Sequence, residues 1–210
     1  KSHPVRKALQ RELYDQALDA ATVAIARSDS RALELLTVAR ETAPDTKTWL
    51  RVQLLVLEQC TTYPKRLRIE LDRLEHDAIG AMIPLPGGAQ PVRAYVLYRK
   101  TQLPDVEPLR QVEIWQELLE SYSTTSFDGE TVRQGAPAAI ARLIRRYGPD
   151  CYRTTAVRAQ VALTEAGDDP EALRTIGTRF PNSKAAKTAR TRVIDRSVAR
   201  GDLGIACEVL

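Results

Sequence analysis

A sequence unit of about 33 residues occurs nearly three times between Pro137 and Leu210, and this repeat constrains the fold more than any other feature of the chain. The matched positions are Pro137 with Pro170, Ala139 with Ala172, Ile140 with Leu173 and Ala206, Leu143 with Ile176 and Val209, Ile144 with Gly177 and Leu210, and Tyr147 with Phe180. Repeats of this period are typical of helical solenoids, in which each unit covers its apolar face by stacking on the next. We therefore predict an all-α fold, an α-solenoid of stacked antiparallel helix pairs with about eleven helices.

The first helix of each unit is indicated by apolar residues at i, i+3, i+4 and i+7, with arginines on the opposite face. Pro137 and Pro170 suit the first position of these helices, where the missing N–H costs nothing. Asp169 is predicted to cap the second copy, and Asp202 stands at the same place in the third. The first helices end at Gly148-Pro149 and Pro181.

The second helices are predicted at 150–166 and 183–200, capped by Asp150 and Ser183. Their apolar and small residues, which we expect to pack, are Ala156, Val157, Val161 and Leu163 in one copy, and Ala186, Ala189, Val193 and Ile194 in the other.

The first part of the chain has the same character. Helices are predicted at 4–27, 30–41 and 65–79. Residues 30–60 are interpreted as a divergent copy of the helical hairpin, in which Val52 corresponds to Val157 and Val56 to Val161 in the sequence. The stripe expected on the first helix is Val5, Leu9, Leu13, Ala17, Ala20, Ala21, Ala24 and Ile25; Leu67, Leu71, Leu74 and Ile79 are expected inward on the helix at 65–79.

The middle of the chain is rich in proline and glycine. Residues 80–90 are interpreted as a loop and a hinge, which divides the chain into helical repeats at 1–79 and at 91–210. Met82 to Leu85 is too short and too interrupted by proline to predict a strand. Further helices are predicted at 91–101 and up to Tyr122, and Ser123 to Thr131 is predicted to be a polar surface loop.

No residue pattern in the sequence indicates catalysis, a metal or a cofactor. Glu75, His76 and Asp77 are adjacent on a helix and point about 100° apart, so they cannot close on one metal ion. Cys151 stands at a predicted helix N-terminus, where the dipole can lower the pKa of a thiol, but no base is near in sequence. Three cysteines, an odd number and widely spaced, argue against a disulfide framework and favour a reducing compartment.

The candidate partner-binding surface is basic. Arginine far outnumbers lysine, the net charge is +4, and the polar faces of successive first helices carry arginines that stacking would align into a stripe. These candidate residues are Arg142, Arg145, Arg146, Arg174 and Arg179. Such a stripe could meet nucleic acid, acidic protein or anionic lipid, although no aromatic side chains are interleaved there for base stacking. Solvation alone is the other interpretation.

The stretches Asp169-Pro-Glu-Ala-Leu, Phe180-Pro-Asn-Ser-Lys-Ala-Ala and Ala199-Arg-Gly-Asp resemble bacterial tetratricopeptide-like repeats. The Phe-Pro-Asn-Ser turn before an alanine-rich helix is similar to the outer-membrane assembly lipoproteins of that superfamily. Comparable segments also form the solenoid arm of β-propeller proteins that are likened to membrane coats. The resemblance covers 137–210 best and implies a scaffold for protein assembly.

The sequence thus predicts a non-enzymatic helical-repeat scaffold that binds a protein partner or a neighbouring domain of its own chain. Peripheral contact with an anionic membrane is a further expectation, and nucleic acid is disfavoured as a partner. The alternatives are a nucleic-acid-binding helical repeat and an accessory domain of an enzyme whose catalytic part lies elsewhere. The cytoplasm is favoured over a periplasmic or membrane-associated location. Because the third repeat stops inside its first helix, we also expect the chain to be a fragment of a longer solenoid.

Overall fold

The computed structural model of the chain describes residues 4–85 and 88–202, and it confirms the all-α fold. Within these ranges lie ten α-helices, one 3₁₀ helix and two small antiparallel hairpins. Within each unit, the helices pack mainly on elements that are adjacent in the chain, in a helical solenoid-like arrangement. The helices are α1 (Pro4–Ala26), α2 (Ala32–Thr42), α3 (Thr46–Gln59), α4 (Pro64–Asp77), α5 (Val92–Thr101), α6 (Pro108–Ser121), α7 (Val132–Tyr147), α8 (Arg153–Ala166), α9 (Pro170–Arg179) and α10 (Lys184–Ala199).

The chain divides into two compact units, Lys1–Asp105 and Val106–Leu210. The first contains α1 to α5, and the second contains α6 to α10. The segment at 80–90 lies inside the first unit, and its role as a hinge stays a prediction. None of the helices in the described ranges combines the length and the apolar character that a membrane crossing requires.

Helix α1 packs on α2 through a face of mostly small residues, Tyr14, Ala17, Ala21 and Ala24. The first half of the predicted stripe is wrong, because Val5, Leu9 and Leu13 are exposed. In a helix of about 3.6 residues per turn, a residue lies about 40° around the axis from the residue four positions earlier. Val5 is therefore rotated by about 120° from Ala17, away from the face that α2 covers.

A buried polar network joins α2, α3 and α4 inside a core of leucines and valines. The Arg40 guanidinium donates to Gln53 Oε1 at 2.8 Å and to Glu70 Oε2 at 2.6 Å. Gln53 Nε2 donates to the Glu70 carboxylate at 3.1 Å and to its backbone oxygen at 3.0 Å. All three side chains are buried, so each charge has a partner in place of water.

The helix at 65–79 is predicted correctly along most of its inward face. Leu67, Leu71 and Leu74 are buried on α4. The prediction that Ile79 points inward is wrong, because α4 ends at Asp77 and the Ile79 side chain is 87% exposed.

A β-hairpin occupies the segment that was predicted to be a loop. Strand β1 (Met82–Leu85) pairs with β2 (Gly88–Pro91), with Met82 opposite Pro91 and Leu85 opposite Gly88. The prediction of no strand was wrong because both strands are edges, where the missing N–H of a proline is tolerated. Ile83, fully buried, fixes the side of the hairpin that faces the core.

The predicted surface loop at 123–131 contains a second, shorter hairpin. Strands β3 (Ser126–Phe127) and β4 (Glu130–Thr131) are joined by Asp128 and Gly129, both with positive φ, as a two-residue hairpin turn requires. Phe127 is buried, so this segment is anchored to the second unit.

Helix α7 begins at Val132, well before the predicted start at Pro137. Thr131 and Gln134 have the capping-box arrangement, in which the Thr131 N–H donates to Gln134 Oε1 at 3.3 Å. Pro137 therefore lies inside the helix, where it removes one backbone hydrogen bond. Pro170, by contrast, stands at the first position of α9 as predicted.

The turn after α7 also differs from the prediction. A 3₁₀ helix, Pro149–Tyr152, precedes α8, so Asp150 does not cap the second helix of this copy. The caps of the next copy are confirmed: Asp169 accepts from the N–H of Glu171 at 3.1 Å, and Ser183 accepts from that of Ala186 at 2.9 Å.

The second helices repeat with a period that is one residue longer than that of the first helices. Thr155, Ala159 and Leu163 are buried on α8, and the corresponding buried positions on α10 are Ala189, Val193 and Ser197. The extra residue enters at the turn between the two helices of the second copy. Val157 and Val161, which were expected to pack, are exposed, because in this register they correspond to the exposed Thr191 and Asp195.

Helix α10 ends in a Schellman motif. Gly201, with φ of 76°, donates to Val198 O, and the N–H of Asp202 donates to Ser197 O at 2.8 Å. The rest of the predicted third copy, with Ala206, Val209, Leu210 and the eleventh helix, lies outside the described residues, as does Cys207.

Candidate functional site

The first unit carries an open cleft of about 1010 Å³ at one end of its helices. Three chain segments line it: the turn between α1 and α2, the turn between α3 and α4, and Pro104 with Asp105 after α5. Alternate turns of an up-and-down helical array lie at the same end, so the topology itself brings these segments together. The lining residues are Ile25, Ser28, Asp29, Ser30, Ala32, Leu33, Gln59, Thr62, Tyr63, Pro64, Lys65, Arg66, Pro104 and Asp105.

Two tight turns shape the cleft. The α1–α2 turn ends α1 in a Schellman motif with Ser28 at a φ of 54°, a conformation that non-glycine residues rarely adopt. The α3–α4 turn is closed by the N–H of Tyr63, which donates to Cys60 O at 2.9 Å, and Pro64 then starts α4. The Tyr63 side chain is left 59% exposed beside the cleft.

The acidic side chains of the cleft already have cationic partners. Asp29 binds the Arg31 guanidinium at 2.9 Å, and this hydrogen bond lowers the pKa of the Asp29 carboxyl. Asp105 binds Arg68 at 3.0 Å. Lys65 and Arg66 stand in the first turn of α4. By contrast with the two aspartates, neither has an oppositely charged partner within the described ranges.

Burial disfavours the thiolate form of both described cysteines. Cys60 lies fully buried beneath the α3–α4 turn, and burial raises the pKa of its thiol. Burial likewise raises the pKa of Cys151, whose Sγ donates to Gly148 O at 3.1 Å. The low thiol pKa that a helix N-terminus could have produced is therefore absent at Cys151, which lies in the 3₁₀ helix.

The five arginines of the predicted surface differ in their partners. Arg142, Arg145 and Arg146 belong to α7, and Arg146 stacks on the ring of Tyr147 at 5.1 Å. Arg174 pairs with Glu171, and Arg179 pairs with Glu120 at 2.9 Å. Two of the five candidates are thus already engaged with carboxylates, and the role of the set in binding a partner stays a prediction.

A charge cluster around Glu120 was not predicted. This carboxylate accepts from Arg158 and Arg179, each at 2.9 Å, and from Gln116 Nε2 at 3.0 Å. Burial acts to raise the pKa of Glu120, but the hydrogen bonds from Arg179 and Gln116 and the charge of Arg158 outweigh it and lower that pKa. Glu120 is separated by 38 and 59 residues from these two arginines, so no local spacing could have indicated the cluster.

Glu75, the residue before His76, serves in ion pairs. Glu75 pairs with Arg93 and with Lys100 Nζ, the latter at 2.8 Å, and Lys100 also binds Asp72 at 2.7 Å. Burial opposes the charged lysine, but its hydrogen bonds to Asp72 and Glu75 raise the pKa of Lys100 above its ordinary value. Residues 4–85 and 88–202 contain no group of three or more His, Cys, Asp or Glu placed to hold a metal ion.

Comparison of the chain with protein-family models, with curated proteins and with solved structures gives no match. One signal for the cleft was present in the sequence: Pro64-Lys65-Arg66 opens a helix with two cations where acidic residues are preferred.

Proposed function

We propose that this chain is a non-enzymatic helical-repeat scaffold that binds a segment of another protein, or of a neighbouring domain, in the cleft of the first unit. The observation that carries the proposal is a cleft of about 1010 Å³ built from three inter-helix turns. Its walls combine apolar side chains with hydroxyl and charged groups, the mixture found in binding sites. Helical repeats present such grooves to extended partners.

We assign the repeat to the tetratricopeptide-like type. The buried positions of α8 recur on α10 after 34 residues, as Thr155 does at Ala189. This spacing supports the assignment. The tetratricopeptide repeat has that period, about 34 residues. The finer assignments, to the outer-membrane assembly lipoproteins or to the solenoid arm of a coat-like protein, are proposals that rest on the Phe180-Pro-Asn-Ser turn and its neighbours.

Peptide display is a direct test of binding in the cleft. A random peptide library would be selected on the wild-type protein, and the selected peptides would then be measured against Ser30→Trp, which places a large ring at an exposed position of the lining. Thr164→Trp, at an exposed position of α8, is the matched control. We expect binding to be lost with Ser30→Trp and kept with Thr164→Trp. Peptides that bind both variants equally would place the interaction outside the cleft.

A further inference from the structure

The charge of the cleft is unbalanced in one direction. Asp29 and Asp105 are neutralised by Arg31 and Arg68, whereas Lys65 and Arg66 face solvent without an acidic partner among the residues described. The cleft therefore offers two uncompensated positive charges to whatever enters it.

The backbone of α4 adds to the same field. Tyr63, at the N-cap, supplies no side-chain hydrogen bond, and the first turn contains no acidic residue. The free N–H groups and the helix dipole leave partial positive charge at this end. Two cations at a helix N-terminus oppose that dipole, so Lys65 and Arg66 are placed at a local cost in stability.

The apolar part of the lining lies beside these charges. Ile25 and Leu33 come from the first wall, Tyr63 and Pro64 from the second, and Pro104 from the third. The volume lies at the upper end of the range for small-molecule pockets, and the cleft is open to solvent. This shape suits a chain segment that inserts a large apolar side chain.

We infer that the occupant of the cleft is an acidic segment of a partner protein, with an apolar anchor held between the three turns and carboxylates placed against Lys65 and Arg66. Charge complementarity favours this chemistry, because the only uncompensated charge among the described lining residues is positive. The inference rests on the proposed function and names the chemistry of the partner.

Three short fluorescein-labelled peptides test it by fluorescence anisotropy. The first is built from leucine, glutamate and serine; the second replaces its glutamates by lysines; the third replaces its leucines by serines. The key variant is Lys65→Glu/Arg66→Glu, and its matched control is Lys184→Glu/Lys187→Glu, two exposed lysines in the first turn of α10. Because new carboxylates at the N-terminus of α4 favour the helix dipole, the key variant should fold at least as stably as wild type.

We expect the first peptide alone to bind wild type, with an affinity that falls as salt is raised. The Lys65→Glu/Arg66→Glu variant should weaken this binding by at least about tenfold, and the Lys184→Glu/Lys187→Glu control by less than about twofold.

The inference is overturned if the key variant binds the first peptide as wild type does, or if the leucine-free peptide binds equally well. It is also overturned if the lysine peptide is preferred, or if a second copy of the chain displaces the labelled peptide from the cleft. If the acidic peptide fails to bind but displayed peptides of other chemistry lose binding to Ser30→Trp, the proposed function stands and only the acidic chemistry of the partner is contradicted.

Discussion

The two copies of the repeat in the second unit share a sequence pattern and bury it differently. Phe180, at the end of the first helix of the later copy, is 2% exposed, whereas its counterpart Tyr147 is 48% exposed. The later copy packs α9 on α10 and on α8, and the earlier copy packs α7 on α6 and on the 3₁₀ helix. An apolar residue at a matched position is thus not sufficient for burial, because the neighbouring helix decides whether its side chain is covered.

The largest expected difference between the copies is at this aromatic pair. Phe180→Ala should lower the free energy of unfolding by about 3–5 kcal/mol, because it leaves a cavity among buried side chains. Tyr147→Ala should cost less than about 1 kcal/mol, since much of that ring already contacts water. Urea unfolding followed by circular dichroism measures both. Equal costs would mean that the copies are packed alike.

Much of the second unit could be predicted because its signals are local. The caps at Asp169 and Ser183 and the helices they begin follow from a few adjacent residues. The start of α7 also has a local signal, because Thr131 and Gln134 have the spacing of a capping box; Pro137, which favours the first position of a helix, indicates a later start.

The remaining differences depend on contacts that the sequence does not show. The one-residue difference between the periods of the first and second helices arises in a turn, and it decides whether Val157 and Val161 face the core or water. In the first unit, the cleft needs three turns far apart in sequence to meet. The Glu120 cluster likewise joins α6, α8 and α9. Local periodicity predicts that a helix exists; it does not predict what lies against it.

The matched prolines give the second contrast. Pro137→Ala restores a backbone N–H inside α7, where proline is strongly unfavourable, but it also gives the unfolded chain more freedom. We expect a net gain of about 1–2 kcal/mol in the free energy of unfolding. Pro170→Ala, at the first position of α9, gains no such bond and should lose about 0.4–1 kcal/mol. Thermal and urea unfolding of the two variants would show the opposite signs, and changes of the same sign would contradict the two placements.

The matched arginines are the third contrast. Arg179 binds Glu120, whereas Arg146 has no acidic partner among the described residues. Arg179→Ala should cost about 1 kcal/mol, a value reduced by its partial exposure, and Arg146→Ala less than about 0.5 kcal/mol. A double-mutant cycle of Arg179→Ala with Glu120→Gln should give a coupling energy, and the cycle with Arg146→Ala should give none within error. Equal coupling in the two cycles would contradict the pairing.

The same ion pair predicts a pH dependence of stability. The pKa of Glu120 is lower in the folded protein than its ordinary value, so the unfolded chain binds its proton more readily. The carboxylate therefore contributes stability above the ordinary glutamate pKa of about 4.3, and this contribution is lost as pH falls through the lower folded value. The stability difference between wild type and Glu120→Gln should be full at about pH 7 and shrink below about pH 4. A difference that is constant with pH would show that Glu120 acts through packing alone.

The smallest contrast is between the two residues that the sequence predicts as caps of the second helices, Ser183 and its counterpart Asp150. The Ser183 hydroxyl accepts from the N–H of Ala186, so Ser183→Ala should cost about 1 kcal/mol in the free energy of unfolding. Asp150 lies in the 3₁₀ helix and caps no α-helix, so Asp150→Ala should change stability by less than about 0.5 kcal/mol. Equal losses at Ser183 and Asp150, measured by urea unfolding, would mean that Asp150 caps α8 after all and that the two turns are equivalent.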